Sequence, residues 1–249
     1  MIVLITGATA GFGLAMVKGF IANGDLVVAT ARRKYLLDDL KKQYGSKIHV
    51  AEMDVQDQKK VEQIMCNLPQ PFRDVDVLVN NAGLAVGLDP AQKAAIQDWE
   101  TMVDTNVKGL LYCTHALLPG MVARKKGHII NLGSVAGEFP YPGGHVYGAT
   151  KAFVHQFSLN LRADLLGTGV RVTCIEPGMC SGTEFSQVRF RGDQSKAASV
   201  YEGLDALTAE DVAETVRWVA TRPAHMNVNV LSLMPTEQAF AGFAVHRKK

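Results

Sequence analysis

The sequence predicts an α/β fold built on a doubly wound parallel sheet, and three features carry the prediction. Short apolar, β-branched runs alternate with helical patterns along most of the chain. The connections between them are short, and the first strand runs straight into a glycine-rich turn that opens a helix. That rhythm implies parallel strands joined by right-handed crossovers, with helices on both faces. At 249 residues the chain fits one large domain, and no repeat, low-complexity stretch or interdomain linker divides it.

Ile2-Val-Leu-Ile-Thr6 is the first strand, followed by Gly7-Ala-Thr-Ala-Gly11-Phe-Gly13 and a helical pattern from Leu14 to Ala22. Strand, glycine turn and helix form a phosphate-binding arrangement. The turn lets the backbone approach a ligand closely, and the helix N-terminus attracts a pyrophosphate. Gly7, Thr9, Gly11, Phe12 and Gly13 are therefore candidate cofactor residues of a Rossmann-like domain, although the spacing is GxxxGxG and not GxGxxG. A second strand, Leu26 to Thr30, leads to Ala31-Arg32-Arg33. An NAD site places an acid near this point to hold the ribose 2′-hydroxyl. Two guanidinium groups suit a 2′-phosphate instead, so Arg32 and Arg33 point to NADP(H).

A charged helix from Leu36 to Tyr44 precedes a third strand, Lys47 to Met53, and then Asp54-Val55. After another helix and a loop with Pro69 and Pro71, Val75 to Val79 reads as a fourth strand ending in Asn80-Asn81-Ala82-Gly83. A long helical stretch, Ile96 to Leu118, carries Asn106, which by itself reads as a satisfied polar residue in a helix. Asp98, Asp104 and His115 flank it without acid/base spacing. The apolar run His128 to Ser134 is a buried strand, which puts the Ser134 hydroxyl at the carboxyl edge, where open α/β sheets bind ligands.

Tyr147-Gly-Ala-Thr-Lys151 begins the next helix, and its ends, four residues apart, share a face. An adjacent cation favours the phenolate, so Lys151 is expected to pull the Tyr147 phenol down from about pH 10 toward the working range. Tyr147 then exchanges a proton with a substrate oxygen. The loop Val135 to Val146, rich in glycine, proline and aromatics, is expected to line a snug substrate pocket. Val170 to Ile175 is a sixth strand ending in Glu176-Pro177-Gly178, and the stretch 184–205 reads as a mobile lid carrying Arg189 and Arg191. Thr208-Ala-Glu-Asp211 is an N-cap signature for a helix to Ala220, and Asn227 to Met234 is a last strand. The tail 235–249, with Phe240, Phe243, His246, Arg247 and Lys248, is expected to meet another subunit.

TGATAGFG, Asp54-Val55, NNAG, Asn106, Ser134 and YGATK, in this order and over nearly the whole chain, resemble the short-chain dehydrogenase/reductase family. The resemblance implies a catalytic set of Asn106, Ser134, Tyr147 and Lys151, with Asn106 anchoring a water that relays protons to the lysine. It implies Asp54 and Val55 at the adenine, and Asn80, Asn81, Ala82 and Gly83 along the ribose and nicotinamide. Pro177 and Gly178 join the cofactor site, with Thr183 as the carboxamide contact. The family's threonine comes one residue sooner, so Ser181 stays open as a substitute. NNAGLA, DWETM, VYGATKAFV, FSLNLRADL and GTEFSQVRF look most like the branch of bacterial 3-hydroxy acid dehydrogenases acting on serine, allo-threonine and malonic-semialdehyde-type substrates. Sulfoacetaldehyde reductases are similar, which leaves a sulfonated aldehyde as an alternative substrate. A non-catalytic NADP-binding sensor is the remote third reading. A homotetramer is the family's habit.

Composition bounds the rest. A net charge of +2, with 47% hydrophobic and 20% charged residues, gives no reason to expect nucleic acid or a membrane surface as partner. The cysteines at 66, 113, 174 and 180 form no CxxC or metal cluster. No apolar run approaches the ~18 residues of a membrane span, and the first strand leaves no room for a leader. A cytoplasmic enzyme without metal is the expectation. Its substrate is expected to be a small acidic aldehyde or hydroxy acid, with Arg189, Arg191 or a neighbouring subunit's Arg247 pairing with the acid, and with Ser134 and Tyr147 on the reacting oxygen.

Overall fold

The computed structural model describes residues 1–240. The segments at Phe243, His246, Arg247 and Lys248 lie outside the described residues. Seven parallel strands form one sheet in the order β3-β2-β1-β4-β5-β6-β7. They are β1 (Ile2–Thr6), β2 (Leu26–Ala31), β3 (Ile48–Glu52), β4 (Val77–Asn80), β5 (Gly127–Leu132), β6 (Val170–Pro177) and β7 (Val230–Leu233). Strand order reverses direction between β1 and β4, which pair Val3 with Val77 and Ile5 with Val79. At such a switch point the flanking crossovers leave to opposite faces and open a crevice above the strand ends.

Alternation within the strands feeds two cores. Val3 and Ile5 of β1, with Val27 and Ala29 of β2, face one layer with Phe20, Leu37 and Val216. These come from α1 (Gly11–Ala22), α2 (Lys34–Tyr44) and α9 (Ala209–Ala220). Leu4 and Val28 face the other layer with Val61, Met121 and Leu161. Those belong to α3 (Gln58–Cys66), α5 (Leu110–Ala123) and α6 (His145–Asp164). With both faces covered, the strands are mostly apolar and buried on both sides, as parallel strands are, with His128 and Asn131 of β5 and Thr173 and Glu176 of β6 as buried polar exceptions. Thr208 and Asp211 form the expected capping box, with the Asp211 amide donating to Thr208 Oγ1 at 3.2 Å and the Thr208 amide to Asp211 Oδ2 at 2.8 Å.

Three elements differ from the sequence expectation. β4 starts at Val77 and not Val75, because the Asp76 carboxylate takes the Ile2 amide at 2.9 Å in place of a ladder carbonyl. β7 starts at Val230 because Asn227 bonds β6 through its side chain, accepting from the Val172 amide and donating to the Val172 carbonyl, both at 2.9 Å. The long helix after Ile96 is interrupted: α4 (Ile96–Val103) passes into a π turn over Asp104–Gly109 before α5 begins. Inside that turn the Asn106 side chain bonds the Leu84 backbone, and a Cβ on Gly109 would stand 2.6 Å from Val55. A widened turn satisfies both contacts, and such bulges concentrate at functional sites. Two short helices, α7 (Phe185–Arg189) and α8 (Gln194–Ser199), fill the stretch between β6 and α9.

Candidate active site

A cavity of about 910 Å³ lies over the carboxyl ends of the central strands. Small-molecule sites span roughly 300–1,000 Å³, so this one can hold a dinucleotide and a small substrate together. Its wall brings together Gly7, Thr9, Gly11, Phe12, Arg32, Arg33, Asp54, Val55, Asn81, Ala82 and Gly83. Ser134, Tyr147, Lys151, Pro177, Gly178, Thr183 and Arg189 complete the set.

At one end is the glycine turn. Gly7 has φ +65°, and a Cβ there would meet Ala82 Cα and Asn81 Nδ2 at 3.1 Å. α1 begins at Gly11 with Ala10 as an N-cap that offers no side-chain acceptor, and its first turn has no acid. Its first amides are thus open toward the cavity and suit an anion. Thr6 Oγ1, which sequence reasoning did not single out, accepts from the Asn81 amide at 3.1 Å and the Ala82 amide at 2.9 Å, tying β4 to β1 at the crevice floor. Gly13 does not line the cavity; a Cβ there would stand 2.2 Å from the Gly7 carbonyl oxygen. Its smallness seats the helix on the turn. Asn80 is also behind the wall, donating to Thr114 Oγ1 at 3.0 Å and Asn131 Oδ1 at 2.8 Å.

Arg33 donates to Glu184 Oε1 at 2.9 Å and to Thr9 Oγ1 at 3.4 Å, so a residue of the 184–205 stretch already occupies this guanidinium. Arg32 is exposed at the same rim. Asp54 Oδ1 accepts from the Gln56 amide at 3.0 Å. The donor set fits a nucleotide carrying an extra phosphate.

Beyond the switch point lie the groups with proton chemistry. Ser134 Oγ accepts from the Ala136 amide at 3.1 Å and donates to the Pro177 carbonyl at 3.4 Å. Tyr147 and Lys151 sit one turn apart on the buried face of α6, with Thr150 and Val154. Lys151 Nζ donates to the Leu132 carbonyl at 2.6 Å and lies 5.8 Å from the Tyr147 ring centroid. Burial lowers the Lys151 ammonium to about 8. The expected downward pull of Lys151 on the Tyr147 phenol does not prevail here. Burial raises that phenol well above its usual range, and the opposing influences come from the Ser134 hydroxyl and the Arg189 charge. A phenol desolvated to this degree stays protonated, which is the state of a proton donor.

Asn106 does not reach the cavity. It is 3% exposed. Its Nδ2 donates to the Leu84 carbonyl at 2.8 Å and to Thr150 Oγ1 at 3.1 Å, while Oδ1 accepts from the Leu84 amide at 2.9 Å. Those bonds join the loop after β4 to α6 and so fix the helix that presents Tyr147 and Lys151.

Of the three arginines expected at the substrate, Arg247 lies outside the described residues, and of the other two only Arg189 is in the wall. Its Nη2 donates to Tyr141 Oη at 2.6 Å, and its guanidinium carbon lies 5.3 Å from the Tyr141 ring centroid and 5.7 Å from that of Tyr147. Arg191 points away and pairs with Asp98 at 2.5 Å, because its backbone turns into the left-handed region at φ 54°. Between the two carboxamide candidates, Thr183 lines the cavity and Ser181 does not. Tyr141, Glu184, Phe185, Tyr201 and Gln238 also line it. The aromatic loop signalled Tyr141 and the expected 184–205 lid contains Glu184, Phe185 and Tyr201; Gln238 comes from the tail, whose sequence carries no pattern for a site. Among the described residues no group of three or more His, Cys, Asp or Glu converges as a metal site, and no helix is long and apolar enough to cross a membrane.

The parallel sheet, the glycine turn and the serine, tyrosine and lysine at the switch point define a class, and the chain belongs to it: residues 1–194 match the short chain dehydrogenase family. Particular relatives are similar over their whole length. The chain is 60% identical over 247 residues to the NADP-dependent 3-hydroxy acid dehydrogenase YdfG of Salmonella typhi, covering 99% of this chain and 100% of that one. It is 52% identical to serine 3-dehydrogenase of Rhizobium radiobacter, over 99% of this chain and 98% of the relative. Among solved structures, the closed form of serine dehydrogenase complexed with NADP+ matches with a TM-score of 0.98 and 58% identity over 100% of both chains.

Proposed function

We propose that the protein is an NADP(H)-dependent oxidoreductase that interconverts a small hydroxy acid of the 3-hydroxy acid or serine type with its carbonyl form. The observation that carries this reading is the convergence of Ser134, Tyr147 and Lys151 on one cavity with Arg32 and Arg33 at its far rim. The similarity to enzymes named as NADP-dependent 3-hydroxy acid and serine dehydrogenases supports it. The first amides of α1, Thr9 and the two arginines would hold the phosphates of NADP(H), with Asp54 and Val55 at the adenine and Asn81 to Gly83, Pro177, Gly178 and Thr183 toward the nicotinamide. The cofactor supplies or accepts the hydride. Ser134 Oγ hydrogen-bonds the reacting substrate oxygen and turns it toward Tyr147. Tyr147 Oη gives that oxygen its proton in reduction and takes it back in oxidation. Lys151, with an ammonium titrating close to neutrality, balances the charge left on the phenol and returns the proton. Asn106 acts behind them by fixing α6. The 184–205 stretch closes the cavity and excludes water.

Arg189 is the residue assigned to the substrate's acid group. It is the cation of that stretch that lines the cavity beside Tyr147. The direct test is a panel of small acidic aldehydes, hydroxy acids and sulfoacetaldehyde assayed with NADPH or NADP+. NADPH oxidation with acidic aldehydes is expected, and equal turnover of neutral and acidic aldehydes would remove the acid from the reading. The assembly we assign is a homotetramer, supported by the exposed Phe153 and Leu166 on and beside α6. Four free cysteines, three of them buried, fit a cytoplasmic setting.

A further inference from the structure

We infer that Tyr141 is a positioning residue for substrate charge: its hydroxyl fixes the plane of the Arg189 guanidinium and so sets the enzyme's preference for acidic over neutral carbonyl substrates. The inference rests on the assignment of Arg189 to the substrate acid group.

Arg189 closes α7, a helix of five residues, and would otherwise be free to sweep the cavity mouth. Tyr141 Oη, accepting from Nη2 at 2.6 Å, is the one hydrogen-bond acceptor the guanidinium meets among the described residues. The Tyr141 ring is itself held, since a Cβ on Gly144 would stand 2.6 Å from it. The guanidinium carbon lies 5.3 Å from the Tyr141 centroid, 5.7 Å from that of Tyr147 and 6.0 Å from that of Phe185. Three rings thus confine the fork, and its Nε is buried without a partner. Among the described residues no carboxylate pairs with Arg189, whereas Arg33 has Glu184 and Arg191 has Asp98. A guanidinium pinned at one edge and lacking a counter-ion is preorganised for a bidentate acid group, and preorganisation lowers the ordering cost of binding. Tyr141 belongs to the loop before α6 and Arg189 to the stretch after β6, so the clamp ties these two segments together at the cavity wall.

Steady-state kinetics with NADPH on succinic semialdehyde and on butanal, its neutral counterpart of equal length, tests this with Tyr141→Phe, Arg189→Met and Arg189→Lys. Phe keeps the ring and removes only the hydroxyl. Losing a hydrogen bond to a charged group is worth roughly a tenfold change, so the ratio of kcat/KM for succinic semialdehyde to that for butanal should drop about tenfold in Tyr141→Phe, through KM. Arg189→Lys keeps the charge but not the fork and should lower the same ratio. It keeps the inference open to test should Tyr141→Phe fail to fold. If Arg189→Met lowers the ratio while Tyr141→Phe lowers both substrates equally, Tyr141 is only structural and the inference falls, although Arg189 keeps its assignment. If Arg189→Met leaves the ratio unchanged, the assignment itself falls.

Discussion

Lys151 should be a residue that the apoprotein would be more stable without. The residue is 7% exposed, and its ammonium is lowered from 10.5 to about 8 by burial. At about 1.36 kcal/mol per pH unit, that displacement sets roughly 3 kcal/mol against the charged form in the folded state. The lysine is compensated by the bond to the Leu132 carbonyl at 2.6 Å, which contributes about 1–2 kcal/mol, and more weakly by the Tyr147 ring, whose centroid lies 5.8 Å away. Lys151→Met keeps the length of the side chain and removes the charge, so cofactor-free protein should gain about 1–2 kcal/mol at pH 7. For a chain of this size that is a rise in Tm of roughly 2–8 °C. The sign with pH follows from linkage. The folded lysine titrates below the unfolded one, so between about 8 and 10.5 the unfolded chain holds the extra proton. Stability of the wild type therefore rises through that window on account of this group, and the penalty is fully present below it. Thermal unfolding of both proteins from pH 7 to 10 isolates the effect, because other titrating groups cancel in the difference. The advantage of Lys151→Met should shrink above pH 8 while its turnover is lost. A variant less stable than wild type at pH 7, or a gap constant to pH 10, would refute the reasoning.

Tyr147→Phe removes the proton donor and leaves the cofactor wall in place, so kcat should fall by roughly 10² to 10⁴ with NADPH affinity little changed; stopped-flow fluorescence titration and turnover separate the two. Replacing Arg32 and Arg33 together by Ala should weaken NADPH by about 2–5 kcal/mol and NADH far less, and a wild type that prefers NADH in calorimetry would contradict the assignment. Gly13→Ala drives a methyl to 2.2 Å from the Gly7 carbonyl oxygen. It should cost about 1–3 kcal/mol in urea unfolding even without cofactor, since its effect is on the seating of α1 and not on a ligand.

Much of this site was legible in the sequence because its signals are local. The glycine turn after Thr6, the paired arginines after β2 and the four-residue step from Tyr147 to Lys151 each declare themselves within a few residues. The alternation of β1 and β2 residues between the two cores likewise follows from the period of the strand. The sequence also placed Ser134 at the right edge, since that position needs only a strand end. What it could not supply were consequences of distant segments meeting. Asn106 reads as a mid-helix polar residue, and only the packing of Leu84 and Thr150 against it, with Val55 against Gly109, turns the helix into a π segment. Arg189 and Arg191 look equivalent on paper. The left-handed turn at Arg191 sends it to Asp98, while Arg189 meets Tyr141 from 48 residues away. The Tyr147 phenol shows the same division. Spacing to Lys151 is a property of one helix, but its proton affinity depends on how much of the cavity wall excludes water, and burial there outweighs the nearby cations. Chemistry carried by contiguous residues is written along the chain; dielectric, partner choice and orientation are settled by what the fold brings against them.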